Sequence, residues 1–235
     1  MNTAVILKPT DKNVARTMGV LLLLHLAAGL MVPFMMLHSL VSPPGFLASA
    51  AAIPNQVRAA VFLLFFGSAL AIAVASAAWS VFRQYSPAMA LWLVGLAIAS
   101  FTLQAVDNAH LLSMLSLSQQ YAEVGTGKAE IFQSLALVVG AARKWSHYTF
   151  LLVIGTWIFL MYGLLYRFRL VPRWLAVIGL IGVVGQMAGV TLRGLWGLPP
   201  ETRLAMPLAP AYVGLAIWLI VKGFNEGPQS ATSAG

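Results

Sequence analysis

The sequence contains no cysteine and little charge. Of its 235 residues, 9% are charged and only six are acidic, whereas 60% are hydrophobic. The absence of cysteine excludes disulfides, thiolate metal sites and thiol nucleophiles. Soluble domains have about a quarter of their residues charged, so a water-soluble core does not match this composition. Because the apolar residues come in runs of about 20, the length that crosses a bilayer, lipid is the solvent that they match.

The chain also lacks a basic face of the kind that binds nucleic acid. Its 14 Lys and Arg residues give a formal net charge of +8, but they are scattered at the ends of the apolar runs. Membrane topology and anionic lipid headgroups account for this distribution better. We therefore expect the lipid bilayer as a partner, and no nucleic acid.

The apolar runs predict about six transmembrane helices. Each is close to the roughly 20 residues that an α-helix needs to cross a hydrocarbon core. The predicted spans are residues 17–40, 57–82, 88–116, 145–166, 173–192 and 207–223. The predicted fold is therefore an all-α, polytopic membrane helix bundle that forms a single domain over residues 14–224. Residues 1–13 are expected to be a cytoplasmic tail and residues 225–235 a disordered C-terminal tail.

The segment between the third and fourth spans is predicted to be a short interfacial helix. Within residues 123–142, Gly125, Gly127 and Gly140 bracket an apolar patch from Glu130 to Val139. Such a patch is too short to cross a membrane and is typical of a helix that lies along its surface. We expect this helix to cover the outer end of the bundle.

The distribution of basic residues favours an N-terminus on the inner side. Arg167, Arg169 and Arg173 crowd one very short predicted loop, where the positive-inside rule is strongest. An even number of spans then places both termini in the cytoplasm.

The same short loop carries a resemblance to a known family. The segment from Gly163 to Gly179 contains Tyr166-Arg167 followed by Pro172-Arg173, and it resembles the inner loop of a bacterial integral membrane family known as domain of unknown function 4386. Further similarity lies at residues 16–19, 55–58, 147 and 216–223. The resemblance implies a six-helix fold in the bacterial inner (cytoplasmic) membrane and no assigned activity. Family members often carry an acidic residue about where Tyr212 stands, so a shared carboxylate site would be incomplete in this chain.

Asp107 marks the best candidate site. Placing an ionisable residue at the bilayer centre costs on the order of 3 kcal/mol, so such a residue usually has a charged partner or a function. At 100° per residue, Gln104, Asn108 and His110 share about 160° of helix surface with Asp107, which predicts one polar face turned toward the bundle. His147, Arg58 and Arg193 are expected on the same, outer side of the membrane. The candidate pocket residues are therefore Gln104, Asp107, Asn108, His110, His147, Arg58 and Arg193.

Three histidines raise the possibility of a metal site. His38, His110 and His147 lie at the outer ends of predicted spans, and together with Asp107 they offer ligand types that suit zinc or iron. A metal there would activate water against a lipid ester or amide, with Asp107, His110 and His147 as the catalytic candidates. No metal motif with fixed spacing supports this interpretation.

Two structural explanations stand beside the metal site. Asp107 could pair with Arg193, Arg58 or Arg143, since a charge pair inside a bundle fixes helix register without chemistry. His110 and His147 would then hydrogen-bond to neighbouring hydroxyl or backbone groups.

Haem b is a separate alternative. His25 and His38 share the first predicted span and are 13 residues apart. That separation rotates one ring by about 220° relative to the other on a straight helix. Two stacked haems need both rings on one face, which disfavours haem unless Pro33 kinks the helix.

A glycine stripe in the fifth span has two interpretations. Gly179, Gly182, Gly185 and Gly189 form a smooth face that allows close helix approach. Packing within the bundle is the preferred interpretation, and a homo-oligomer contact is the alternative.

The sequence leaves two classes of function open. The primary hypothesis is a non-enzymatic multi-pass membrane protein, either an accessory subunit of a membrane complex or a small-molecule binder. The alternative is a metal-dependent intramembrane hydrolase with a polar site near the outer face. Zinc and haem b are the cofactors that these hypotheses allow, and the sequence requires neither.

Overall fold

The structure is a computed structural model that describes residues 9–43, 45–124, 129–198, 204 and 206–225. The α-helices of the described residues are α1 Pro9–Met31, α2 His38–Val41, α3 Phe46–Ser49, α4 Pro54–Tyr85, α5 Pro87–Val124, α6 Ala129–Arg167, α7 Arg173–Trp196 and α8 Leu208–Val221. A π-helical turn, Val32–Met36, follows α1, and a 3-10 turn, Ala50–Ala52, precedes α4. These residues contain no strand, and the predicted all-α membrane fold is confirmed.

Five helical segments of the described chain are long and apolar enough to cross a membrane. They are Asp11–Met36, Pro54–Tyr85, Pro87–Val124, Ala129–Arg167 and Arg173–Trp196. The sixth predicted span, residues 207–223, corresponds to α8, which has 14 residues. At 1.5 Å per residue α8 is about 21 Å long, shorter than the roughly 30 Å of a hydrocarbon core. The five longer helices make the protein a multi-pass membrane protein.

Proline residues set the first residue of several helices. Pro9, Pro54 and Pro87 are the first residues of α1, α4 and α5, while Pro172 and Pro207 directly precede α7 and α8. Proline fits the first turn because its fixed φ is already helical and its missing N–H has no partner there.

The apolar patch from Glu130 to Val139 is the first part of α6, which runs without a break from Ala129 to Arg167. This corrects the prediction of a separate interfacial helix. Gly140 does not end the helix, because one glycine in a helix interior costs only about 1 kcal/mol relative to alanine, and no proline lies within residues 129–167. Gly125 and Gly127, which were expected to bound the segment, lie outside the described residues.

The structure describes the parts of the two predicted tails that adjoin the helices. Residues 9–13 belong to the first turns of α1, and Asp11 is buried there. At the other end, the Asn225 N–H donates to the Leu170 carbonyl over 2.8 Å. Residues 9–13 and Asn225 therefore belong to the folded part of the chain, and the extent of each tail stays a prediction.

The chain divides into two compact units. Unit 1 comprises residues 1–26, 70–99 and 151–235, and unit 2 comprises residues 27–69 and 100–150. The largest fully buried side chains of unit 1 include Trp157, Tyr162, Tyr212, Phe82, Met18 and Leu22. Unit 2 has a hydrophobic cluster of Val32, Leu37, Leu40, Ala50, Val57, Ala60, Leu111, Met114 and Leu115. The expected single domain stays a prediction.

The glycines of α7 allow close packing inside unit 1. A Cβ atom at Gly182 would lie 2.6 Å from the Leu208 backbone nitrogen, and one at Gly179 would overlap the Tyr162 ring. At Gly185 it would overlap the Leu204 carbonyl. These three glycines therefore face neighbours in the same chain, which agrees with packing within the bundle.

Candidate functional site

Asp107 is the centre of a polar cluster in unit 2. Its side chain has 0% exposure, and its Oδ1 lies 3.4 Å from Arg143 Nε. Its Oδ2 lies 3.2 Å from His147 Nδ1. Arg143 and His147 are four residues apart on α6, so they occupy the same face of that helix. One carboxylate from α5 thus holds two side chains of α6.

Hydrogen bonds extend the cluster on both sides of Asp107. The Ser146 hydroxyl donates to Asp107 Oδ1 over 3.3 Å. The Gln104 amide donates to Asp107 Oδ2 over 3.4 Å and to Asn108 Oδ1 over 3.0 Å. Asn108 in turn donates to the Val61 carbonyl over 3.2 Å. The cluster therefore joins α4, α5 and α6.

The cluster is closed around Asp107 and open along α6. A buried carboxylate is costly unless charged and polar partners compensate it, and Asp107 has a guanidinium, an imidazole, a hydroxyl and an amide around it. The Arg143 and His147 side chains retain 16% and 27% of their exposure. Their outer atoms therefore reach the surface while Asp107 does not.

The contact with Asp107 also orients His147. A carboxylate accepts hydrogen bonds, so His147 Nδ1 carries the hydrogen that faces Asp107 Oδ2. The opposite ring nitrogen, Nε2, is left to bind a ligand or to exchange a proton. Such an oriented histidine is suited to binding and to proton transfer.

The structure brings only part of the predicted pocket together. Gln104, Asp107, Asn108 and His147 belong to the cluster, but the hydrogen bonds among described residues around Asp107 do not include His110. The exposed Arg58 donates to Asn55 Oδ1 over 3.2 Å instead. Arg193 lies in unit 1, where its side chain is exposed.

The predicted metal site does not form among the described residues. No group of three His, Asp or Glu side chains there could hold a metal ion. Asp107 and His147 do meet, whereas His38 lies beside Ser42, with Nδ1 3.4 Å from the hydroxyl oxygen. His110 belongs to no such group either. The expected convergence of three histidines on Asp107 is thus corrected.

The chain between His25 and His38 is not a straight α-helix. The π-helical turn Val32–Met36 interrupts the helix between His25 and His38 and contains Pro33. The rotation expected for a straight helix therefore does not apply to this pair.

Arg143 and Ser146 belong to the cluster but not to the predicted pocket, and the sequence indicated Arg143 only as a structural partner of Asp107. Together with His147 they follow an i, i+3, i+4 spacing, which places all three on one helix face. The assumption of a separate helix ending near Ala142 hid this pattern, because it placed Arg143 outside any regular element.

A second polar cluster lies in unit 1. His25 Nδ1 and the Tyr212 hydroxyl share a hydrogen bond of 3.0 Å, and the Trp157 ring lies 6.0 Å from the His25 ring. Tyr212, Trp157 and Tyr162 are all buried. Trp157 Nε1 and the Tyr162 hydroxyl have no hydrogen-bond partner among the described residues. Tyr212, where the family resemblance led us to expect a lost carboxylate, is therefore the partner of His25.

We expect Tyr212→Phe to lower the free energy of unfolding by about 1–2 kcal/mol, because it leaves the His25 nitrogen without its partner. Tyr162→Phe is the matched control, since it removes an equally buried hydroxyl that has no partner among the described residues. Denaturation of the detergent-solubilised protein, followed by circular dichroism, measures both. Equal losses in the two variants would contradict the hydrogen bond to His25.

Comparison with protein families identifies a family for this chain. The model of a family described as "Domain of unknown function (DUF4386)" matches residues 17–223 of the chain. This confirms the resemblance first indicated by the loop between Tyr166 and Arg173. Comparisons with curated proteins and with solved structures found no match.

Proposed function

The chain belongs to the DUF4386 family, and we propose that it is a small-molecule-binding membrane protein whose site is the open edge of the Asp107 cluster. The proposed ligand carries a carboxylate or phosphate group. The observation that supports this is the partial exposure of Arg143 and His147, 16% and 27%, above a fully buried Asp107.

The free atoms of Arg143 suit an oxyanion. Its contact with Asp107 is made through Nε, so the two terminal nitrogens of the guanidinium are not engaged by that carboxylate. This fork matches the geometry of a carboxylate or phosphate and binds it through two hydrogen bonds. His147 Nε2, on the ring side opposite Asp107, offers a third contact from the next turn of α6.

The charge of the cluster agrees with an anionic ligand. The charges of Asp107 and Arg143 cancel, so a bound anion would not face a cluster with net negative charge. The anion would replace water around a guanidinium that Asp107 already holds in place. The buried carboxylate supports the site without contacting the ligand.

The metal-dependent hydrolase is not proposed further, because no observation on the described residues favours it. We propose that the protein resides in a bacterial inner membrane with both termini cytoplasmic. Although α8 is short, the hydrogen bond from Asn225 to Leu170 holds its C-terminal end beside the basic turn between α6 and α7. Arg167, Arg169 and Arg173 support this orientation through the positive-inside rule. The predicted third span then runs outward, with Asp107 in its outer half.

Calorimetric titration of the purified protein in phosphatidylcholine nanodiscs tests the proposed site. Inorganic phosphate and acetate are the probes, and choline is the cationic control. We expect the anions to bind, and Arg143→Gln to weaken their binding at least about tenfold, because even one of the two charge-assisted hydrogen bonds of the fork contributes that much. Arg58→Gln, a change at an exposed arginine paired with Asn55, is expected to bind as the unaltered protein does.

Loss of binding must be separated from loss of folding. Arg143→Gln leaves Asp107 without its cation, so the double variant Asp107→Asn with Arg143→Gln keeps the cluster neutral. We expect that variant to fold and still not bind. Anion binding that Arg143→Gln and His147→Gln leave unchanged, or an unaltered protein that binds neither probe, would sink the proposal.

A further inference from the structure

The turn between α6 and α7 contains a residue in an unusual backbone conformation. Arg169 is the one non-glycine residue of the described chain with a positive φ, at 54°. This left-handed region is unfavourable for every residue with a Cβ atom, and glycine is the residue that usually occupies it. Residues held in such strained conformations cluster at binding sites and switch regions.

Backbone hydrogen bonds hold this turn in place. The Leu170 N–H donates to the Leu165 carbonyl over 3.0 Å, and the Leu170 carbonyl accepts from the Asn225 N–H over 2.8 Å. The Asn225 side chain also donates to the Arg169 carbonyl over 3.4 Å. Leu170 is buried, whereas the Arg169 side chain is exposed. The fixed backbone therefore presents the guanidinium to the outside.

Two more arginines flank Arg169 and lie against aromatic rings. The Arg167 guanidinium is 5.7 Å from the centre of the Phe168 ring, and that of Arg173 is 5.6 Å from the Tyr166 ring. Neither of the ion pairs at the buried Asp107 involves any of these three arginines. Stacking on a ring leaves the hydrogen-bonding edge of a guanidinium free, and that edge matches phosphate.

Further cations belong to the same end of unit 1. The exposed Arg16 donates from Nε to the Ile220 carbonyl over 3.3 Å. A Cβ atom at Gly223 would be 3.4 Å from Lys12 Cγ. Asn225, two residues later, is bonded to the turn itself. The exposed cations gathered here are Lys12, Arg16, Arg167, Arg169, Arg173 and Lys222.

Exposed apolar side chains continue from this basic turn along α7. Trp174 is 62% exposed, and Ile178 and Ile181, one and two turns further, are 38% and 60% exposed. Residues four and seven positions apart share a helix face. Tryptophan next to arginine is typical of the level where headgroups meet acyl chains. A free phosphate ion would use only the arginines, whereas a phospholipid would also cover this face.

We propose that the turn of Arg167, Arg169 and Arg173 binds the phosphate of an anionic phospholipid whose acyl chains lie along the exposed face of α7. The positive charge selects headgroups with a net negative charge over zwitterionic ones. The left-handed conformation of Arg169 is retained because it directs this guanidinium to the headgroup.

Native mass spectrometry of the delipidated protein tests this site. The protein is presented with equimolar phosphatidylglycerol and phosphatidylcholine, and we expect it to retain phosphatidylglycerol preferentially. Arg169→Gly is the informative variant, because it removes the side chain and relieves the backbone. It should lower the preference about fivefold, the effect of one cation at an anionic surface, while its melting temperature is unchanged or raised.

Controls separate specific binding from a general charge effect. Arg169→Lys retains the charge and should retain the preference, whereas Arg193→Gln, at an exposed arginine near the other end of α7, should change nothing. Equal retention of the two lipids by the unaltered protein would overturn the proposal. So would an Arg169→Gly variant with undiminished preference, or displacement of the lipid by millimolar inorganic phosphate, which would indicate a free-phosphate site.

Discussion

Gly182→Ala is expected to lower the free energy of unfolding by about 3 kcal/mol, at the upper end of the usual cost of overpacking. The added Cβ atom would lie 2.6 Å from the Leu208 backbone nitrogen and 2.7 Å from its Cα. These distances are well below an ordinary carbon contact of about 3.5–4.0 Å. Because the obstacle is backbone, no side-chain rotation relieves it, and α7 must separate from the start of α8.

Two other glycines provide a graded comparison. Gly163→Ala, on α6, places its Cβ where no atom lies within 4 Å, so only the helix propensity changes, and a stabilisation of about 1 kcal/mol is expected. Gly155→Ala meets the flexible Met187 side chain at 2.8 Å and should give an intermediate result. Thermal denaturation in detergent, followed by circular dichroism, ranks the three. A Gly182→Ala variant as stable as Gly163→Ala would show that α7 and α8 do not pack as described.

The sequence predicted the positions of the spans well, because a proline at a helix start and the length of an apolar run can both be read from neighbouring residues. Pro54, Pro87 and Pro172 coincide with helix starts or directly precede them. The lengths of α5 and α6 were underestimated, since the polar residues after Ser116, and Gly140, Arg143 and Lys144 before Trp145, are not typical of a membrane span. Hydropathy locates the part of a helix that prefers lipid, but a helix continues beyond it wherever no residue breaks it.

The candidate site was predictable along one helix only. The rotation of 100° per residue placed Gln104, Asp107 and Asn108 on one face, and these residues do hydrogen-bond to one another. The choice of Arg143 over other arginines as the partner of Asp107 depends on how α5 and α6 pack. That register results from the contacts of many side chains, so a single sequence does not reveal it.

Asp107→Ala is expected to lower the free energy of unfolding by about 3 kcal/mol. Removing one member of a buried ion pair leaves the other charge uncompensated, which typically costs about 3–5 kcal/mol. We expect the lower end of this range because Arg143 and His147 are partly exposed and can regain contact with water. Asp107→Asn keeps the size and the acceptor of the side chain and should cost less. Glu130→Ala removes an exposed carboxylate from the first turn of α6, and it should change the free energy of unfolding by no more than about 0.5 kcal/mol.

A double variant identifies the origin of this loss. If the unpaired guanidinium causes it, adding Arg143→Ala to Asp107→Ala removes the orphaned charge, and the double variant should unfold at a higher denaturant concentration than Asp107→Ala alone. If lost packing at Asp107 causes it, the second change should add a further loss instead. Because Asp107 has 0% exposure and Arg143 Nε lies 3.4 Å away, we expect the first result. An Asp107→Ala variant as stable as Glu130→Ala would contradict the buried ion pair itself, and with it the support that Asp107 gives to the proposed anion site.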